Sequence, residues 1–301
     1  MHIPLEEEQV PGYDSSRYYP ANPGERYVAL KICNTGQDSE YELDMNKHLI
    51  SANPQHRGHG ALSTAIECFT VDSPRGQNHV VLVFEPLRDT LRRIRHRLSL
   101  RNYVTLAPLG LFKTYLEIVA EGLDYMHTQC HVVHTDLKLE NIMMTFEDMS
   151  TIDALIEEQK TMPMARKYVK DRTVYRSHNN FGPVDSNLLH IIPQITDFDL
   201  ARRVDKGVPL IEPIQANECQ APEVLFGTGW SYSADMWNFG AMIWEFLGGE
   251  SLFIQKKCFS QAQHLANIIA LHGPPPPELI QREREMRHLR FPPSNSPGAG
   301  L

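Results

Sequence analysis

The stretch His134-Thr135-Asp136-Leu137-Lys138-Leu139-Glu140-Asn141 places an acid, a cation and an amide at relative positions 0, +2 and +5, and Asp197-Phe198-Asp199 follows much later in the chain. Moving a phosphoryl group from a nucleotide to a hydroxyl asks little covalent chemistry of a protein. It needs a carboxylate to orient the attacking hydroxyl, a cation beside the migrating group, and oxygen ligands for Mg²⁺. Asp136 and Lys138 are the candidates for the first two tasks, as catalytic residues, and Asn141 and Asp197 are the candidate metal ligands. His134 reads more simply as a packed core histidine than as a proton carrier.

Groups of this kind must be held by a core, and the hydrophobic pattern says where it lies. Tyr27 to Ile32 is the first strand signal, and a helix is expected within Ser39 to Ile50, where Leu43, Lys47 and Ile50 have helical spacing. The continuous, β-branched run Val80 to Phe84 suits a strand buried on both faces. Leu111 to His127 repeats its apolar residues every three or four positions, which predicts an amphipathic helix. Ser233 to Leu247 is apolar almost all round and predicts a central buried helix, and another helix is expected from Ser260 to Leu271. Strands first and helices after make this an α+β arrangement. Three stretches stand apart: an extended lead-in over 1–26, a polar insertion over 147–190 without sustained periodicity, and a Pro-rich tail over 273–301 expected to be disordered.

Composition narrows the function classes. With 42% apolar and 22% charged residues the chain has ordinary globular usage, and 301 residues allow one large domain or two small ones. A net charge of −8 argues against a nucleic-acid binder that works by general phosphate neutralisation and leaves basic partners open. Cys33, Cys68, Cys130, Cys219 and Cys258 are odd in number, far apart and never in a CxxC, so neither a disulfide framework nor a zinc knuckle is suggested and a reducing compartment fits. No apolar run approaches the roughly 18 residues that span a bilayer. The start, Met1 to Val10, is acidic where a signal peptide would be basic and then apolar, so the expectation is a soluble intracellular protein with no membrane partner.

The segments His134 to Asn141 and Asp197 to Asp199 resemble the catalytic loop, His-Arg-Asp-Leu-Lys-x-x-Asn, and the metal loop, Asp-Phe-Gly, of the eukaryotic protein kinases. Other residues follow in that family's order: Val28-Ala29-Leu30-Lys31 as the lysine strand, Glu42 as the helical partner of that lysine, Ala221-Pro222-Glu223 as the close of the activation segment, and Ser233 to Gly240 as the start of a central helix. The resemblance implies a two-lobed fold, with a β-rich N-lobe over 27–87 and a mainly helical C-lobe over 88–272, and it implies ATP and Mg²⁺ as cofactors, with Lys31 and Glu42 fixing the phosphates. Adenine in this family takes one backbone carbonyl and one N–H two residues later. In Phe84-Glu85-Pro86-Leu87 the proline, which has no N–H, sits between the two, leaving the carbonyl of Glu85 and the N–H of Leu87. Met143, two past Asn141, is either the floor beneath the adenine or an ordinary core methionine. Arg88, Arg92, Arg93, Arg95 and Arg97 read as the solvated face of a helix that turns Leu87, Leu91, Ile94 and Leu98 inward.

Within the family, Thr135 stands where most members have arginine. Together with the Phe-Glu-x-Leu hinge, the insertion, Ile214-Gln215, and the lead-in Val10-Pro11-Gly12-Tyr13 with Arg17-Tyr18-Tyr19-Pro20, it makes the chain similar to the kinases of serine/arginine-rich splicing factors, above all their fungal branch. That implies serines in basic Arg-Ser-rich proteins as substrates, no direct nucleic-acid partner, a monomer, and a cytoplasmic and nuclear location. The acidic charge suits such partners.

The chain also departs from the pattern. Six residues, Ala21 to Arg26, lie between Pro20 and Tyr27, at the start of the lysine strand, where the family places two strands and a Gly-rich loop. Six residues reach about 21 Å at most, too short for a hairpin over the phosphates. The N-lobe is therefore expected to be truncated, and nucleotide or partner binding without phosphoryl transfer is the alternative function. Only 55 residues follow Phe246, so the C-lobe is expected to be incomplete, with Glu223 lacking the arginine that pairs with it in the family. Asp199 replaces a glycine and either adds a third carboxylate near the metals or faces solvent. Ala216, Cys219 and Gln220 depart near the substrate end of the activation segment.

Thr135 removes the arginine that would clamp a phosphate on that segment, and no Ser, Thr or Tyr lies between Asp197 and Glu223. Activity is expected to be independent of phosphorylation there, and phosphopeptide mapping that located a phosphate between the two residues would contradict this.

Overall fold

The computed structural model describes residues 27–33, 39–72, 78–99, 106–169, 172–175, 181–182, 190–204, 209–255 and 259–290. The expectations for the lead-in, for Cys258 and for the last eleven residues lie outside them. In chain order the elements begin with β1 (Ala29–Ile32), α1 (Ser39–Ser51), a 3₁₀ turn (Arg57–Ala61), β2 (Glu67–Asp72), β3 (Asn78–Phe84), α2 (Leu91–Ser99) and α3 (Leu106–Asp124). A single π turn (Tyr125–Gln129) ends α3, and β4 (Val132–Val133), β5 (Ile142–Met144), α4 (Ser150–Thr161), β6 (Arg166–Val169) and β7 (Arg172–Tyr175) follow. The remainder is β8 (Pro193–Ile195), β9 (Arg202–Arg203), α5 (Pro222–Phe226), α6 (Tyr232–Gly248), α7 (Gln261–His272) and α8 (Pro277–Arg290). The chain thus has the mixed helices and small sheets of an α+β fold.

Two compact units form. The first takes residues up to Gly122 together with Ile142–Thr196, and the second takes Leu123–Asn141 with the residues from Asp197 onward. The first unit therefore continues past residue 87.

In the first unit β3 is the middle strand of an antiparallel sheet ordered β1-β3-β2, with Lys31 opposite Leu82 and Cys68 opposite Leu82 from the other side. Val81, Leu82 and Val83 are buried in succession, as a centre strand covered on both faces requires. Helix α1 buries Glu42, Met45, Asn46 and Leu49, a stripe at i, i+3, i+4 and i+7. The Asn46 amide donates to the Glu42 carbonyl (2.9 Å) and accepts from the Ala65 N–H (3.0 Å), which ties α1 to the segment leading into β2. Later in the same unit β5 pairs with β8, Ile142 opposite Ile195, and β6 pairs with β7.

The second unit is built on α6. Ala234, Asp235, Asn238, Met242 and Phe246 are its buried stripe, and its start packs with Val133, Ala221, Val224 and Trp230. Gly249 ends the helix in the left-handed region at φ 90°, a conformation that glycine adopts without a side-chain clash, and its N–H caps the Glu245 carbonyl. β4 pairs with β9, joining Val133 to Arg202.

Three expectations change, and one strand was not foreseen. Helix α6 is not buried all round: Met236, Trp244 and Leu247, at i, i+8 and i+11, are about half exposed (50%, 53% and 47%). An apolar sequence marks the faces that could be covered, and among the described residues only one face of α6 is. The tail expected to be disordered from residue 273 contains α8, because Pro277 at the first helical position is compatible with a helix start and the residues after it are good helix formers joined by a Glu283–Arg287 pair. The insertion expected over 147–190 without sustained periodicity holds α4, β6 and β7, elements of 12, 4 and 4 residues. The strand β2 had no expectation, since its alternation is broken by acidic ends. Among the described residues no helix is long and apolar enough to cross a membrane.

Candidate functional site

The sequence-derived residues fall into two sets. Lys31, Glu42, Glu85, Leu87 and Met143 lie in the first unit, and Asp136, Lys138, Asn141 and Asp197 lie in the second.

In the first set, β1 and α1 bring Lys31 and Glu42 together: Lys31 Nζ donates to Glu42 Oε1 at 2.8 Å. The glutamate side chain is only 7% exposed and the lysine is 34% exposed, so the carboxylate is anchored in the core while the ammonium reaches its edge. Cys33 Sγ donates to the other carboxylate oxygen at 3.6 Å. A buried carboxylate with a cation and a second donor is compensated, which an unpaired one would not be. Met143 is half-buried between the buried Ile142 and Met144, and it bridges to Thr90 just past the hinge. Glu85 is exposed and Leu87 half-buried.

The arginines after the hinge correct an expectation. They are not one solvated helix face, because the Arg88 side chain is 0% exposed and Arg97 reaches back to Asp89 at 2.8 Å. Arg88 precedes α2, so helical spacing counted from Leu87 does not apply to it.

In the second set, the loop from His134 to Asn141 hangs on one carboxylate. Asp235, fully buried in the first turn of α6, accepts the N–H of His134 (2.7 Å), the N–H of Thr135 (2.9 Å) and a bond from His127 Nε2 (2.9 Å). Beyond it, Leu137 and Leu139 are buried and alternate with the half-buried Asp136, Lys138 and Glu140, so two apolar pins hold the loop while three ionisable groups project together. Lys138 Nζ donates to Asp136 Oδ2 at 2.5 Å, and Asn141 Nδ2 donates to the same oxygen at 3.0 Å and to the Asp136 carbonyl at 2.9 Å. Burial alone would pull the Lys138 ammonium down, but its bond to Asp136 and the charges of Asp136, Glu140 and Asp197 outweigh that and hold its pKa above the usual lysine value. Lys138 is therefore a permanent cation at neutral pH.

Thr135 has φ 71°, an uncommon conformation for a β-branched residue, and it is buried. Two bonds keep it there: the N–H to Asp235 and Oγ1 donating to the Leu200 carbonyl at 2.8 Å. The second bond couples the catalytic-type loop to the segment after Asp197. Asp197 also has positive φ (69°) and is exposed, while Phe198 is buried against the fully buried His134, ring centres 5.6 Å apart. His134 is thus a core residue, and Asp199 is half-buried.

The donor set suits a hard cation. The amide nitrogen of Asn141 is engaged with Asp136, which makes Oδ1 the atom that could meet a metal, and the Asp197 carboxylate is the second oxygen source. Among the described residues no group of three or more His, Cys, Asp or Glu could hold a metal ion by itself. Two protein oxygens fit Mg²⁺, which commonly takes its other ligands from phosphates and water.

Two residues escaped functional reading, Gln215 in the segment closing at Glu223 and Asp235 in α6. Gln215, at φ 70°, donates to the Ala234 carbonyl and to Asn238 (both 2.8 Å) and accepts the Ala221 N–H at 2.7 Å. It fixes the segment onto α6. Asp235 was legible only as an acid inside an apolar helix. Glu223, expected to lack the arginine that pairs with it in the family, accepts from Ser233 Oγ at 2.7 Å. Gln220 is buried and donates to the Ile214 carbonyl. Cys219 is pushed up to about 11 by burial and then by the carboxylates of Glu245, Glu218, Asp136 and Glu140, so it is a thiol at neutral pH.

Thr135→Val keeps the shape and removes the donor to Leu200, and it is expected to cost about 1–2 kcal/mol in urea unfolding, with Thr135→Ser costing less. His264, fully buried with Nε2 on the Gln220 carbonyl, has its pKa lowered by burial against the opposing bond to Gln220 and the charge of Glu218. A lowered folded-state pKa means that the stability conferred by the neutral ring is present above the unfolded value of about 6.5 and is lost as pH falls through the folded value. The melting temperature of wild type should accordingly drop further between pH 7 and pH 5 than that of His264→Gln.

Comparison with known proteins agrees with this geometry. The pattern of the protein kinase domain matches residues 21–289. A serine/threonine protein kinase of Aspergillus fumigatus is 28% identical over 320 residues, covering 95% of this chain and 75% of that protein. The serine/threonine-protein kinase SRPK of Physarum polycephalum is 26% identical, covering 86% of this chain and 63% of its own length. Protein kinase dsk1 of Schizosaccharomyces pombe is 22% identical, covering 88% and 66%. With a lysine–glutamate pair in one unit, an Asp-x-Lys-x-x-Asn loop anchored on a buried aspartate in the other, and the domain pattern running through both, the chain belongs to the protein kinase domain family.

Proposed function

We propose that this kinase transfers the γ-phosphate of ATP to serine hydroxyls in basic Arg-Ser-rich proteins, in the cytoplasm and nucleus, as a monomer. The observation that carries the reading is the triad of Asp136, Lys138 and Asn141 gathered on a single carboxylate oxygen. Asp136 orients the serine hydroxyl and takes up its proton, and Lys138, held as a cation, stabilises the charge of the transferring group. Lys31, anchored by Glu42, binds the nucleotide phosphates. The Glu85 carbonyl and the Leu87 N–H bind adenine, with Met143 beneath it. Asn141 and Asp197 would hold Mg²⁺, which when bound offsets phosphate charge. The substrate class is supported by the likeness to SRPK of Physarum polycephalum and by the net charge of −8.

A second reading, binding without transfer, is favoured by the six residues between Pro20 and Tyr27, which leave no length for a Gly-rich hairpin. Transfer of labelled phosphate from ATP to an Arg-Ser repeat peptide separates the two. The kinase reading expects Asp136→Asn to lose about 10²–10⁴-fold in rate. If wild type and Asp136→Asn are equally silent while Mg-ATP at 100 times its dissociation constant still stabilises the chain by about 2.7 kcal/mol, the protein binds nucleotide and transfers nothing.

A further inference from the structure

Arg88 directly follows the residues read as the adenine hinge, and its surroundings are unusual for an arginine. Its N–H donates to the Met144 carbonyl at 2.8 Å and the Met144 N–H donates back to the Asp89 carbonyl at 2.9 Å, so the chain leaving the hinge is laddered onto β5. The side chain is 0% exposed. Its Nη1 meets the Glu147 carboxylate, its Nη2 donates to the carbonyls of Phe181 and Gly182, both at 3.1 Å, and its Nε lies 3.4 Å from Asp89. Arg97 of α2 reaches the same two places, Asp89 at 2.8 Å and the Gly182 carbonyl at 3.3 Å. Phe181 is held independently, edge-on to Phe146 with ring centres 5.2 Å apart.

The first residue of the insertion, Glu147, and the distant pair Phe181-Gly182 therefore converge on one guanidinium. Taking a guanidinium out of water is costly, and it is tolerated only where nearly every donor is used. Here two of the acceptors are main-chain carbonyls of the insertion, so the contact fixes where that backbone runs. In the other direction there is little slack: Pro86 has a locked φ, and Leu87 is the single residue between it and the anchored Arg88.

We propose that Arg88 is a positioning residue for the nucleotide: by clamping Glu147 and the Phe181-Gly182 backbone to the hinge exit it sets the placement of Glu85 and Leu87, so that these contacts control nucleotide affinity. This rests on the hinge reading given above. The chemistry at the γ-phosphate is untouched, so the effect falls on binding and on the KM for ATP, with kcat preserved.

The test is ADP binding by calorimetry on the full chain, with folding checked by circular dichroism, for wild type, Leu87→Pro, Arg88→Met and Glu147→Gln. Leu87→Pro deletes the N–H assigned to adenine and is expected to abolish measurable binding. Arg88→Met is expected to weaken ADP by about tenfold and Glu147→Gln by a few-fold, the scale of losing part of a charge-assisted hydrogen-bond set. A role in folding alone would lower the melting temperature and leave the dissociation constant of the folded fraction unchanged. If Leu87→Pro loses ADP while both other variants bind it as wild type does, the coupling is overturned and the hinge reading stands. If Leu87→Pro binds ADP as tightly as wild type, or wild type binds none, the hinge reading fails and the proposal falls with it. Should Arg88→Met not fold, Glu147→Gln decides by the same criterion.

Discussion

A single buried carboxylate organises the second unit. Asp235 has no access to solvent, and it is satisfied by two consecutive backbone N–H groups and one imidazole. Those two N–H groups belong to His134 and Thr135, so the orientation of the peptide planes entering Asp136 is dictated from below by a residue of α6. Everything placed by that loop follows: Leu137 and Leu139 reach the core, Asp136 and Lys138 meet above it, and Asn141 closes the turn. A charge-assisted bond to backbone is short, directional and costly to leave unmade in a dry interior. Reliance on one such anchor explains how a loop with little regular structure can hold reactive groups in register.

The same device recurs twice in the first unit, once with the sign reversed. Glu42 in α1, again a carboxylate, anchors a cation that must reach outward, and the cation Arg88 anchors the main-chain carbonyls of Phe181 and Gly182. In each case the buried charge is compensated by several polar contacts, and the group that faces function is one step removed from it. Thr135 adds a fourth instance without a charge, where two hydrogen bonds hold a β-branched residue in the left-handed region and join the two loops that carry Asp136 and Asp197. Strain of this kind survives only where its surroundings over-determine it.

The catalytic-type loop was legible in the sequence because phosphoryl transfer needs few residue types and tolerates little variation in their spacing. The helices α3, α6 and α7 were legible because apolar residues recur along them, whereas α1 was placed from Leu43, Lys47 and Ile50 although the stripe it buries is Glu42, Met45, Asn46 and Leu49. What periodicity could not show was which apolar face would find a cover, and α6 accordingly read as buried all round. Nor could it show the fate of the arginines after the hinge. Arg88 looks like its neighbours in sequence, and only the return of Phe181 and Gly182, more than ninety residues later, makes it an interior residue. The Pro-rich opening of the tail misled for a local reason, since proline breaks a helix from within and permits one at its first position.

Cys219 carries a practical consequence for chemical probes. Half-buried and under the influence of four carboxylates, with its pKa pushed up to about 11, it is a thiol at pH 7. Electrophiles that depend on a thiolate will therefore be slow at Cys219, whereas Cys68 is the cysteine exposed among the described residues. A covalent ligand aimed at Cys219 must bring its own base, or take its selectivity from shape and charge before any bond is formed.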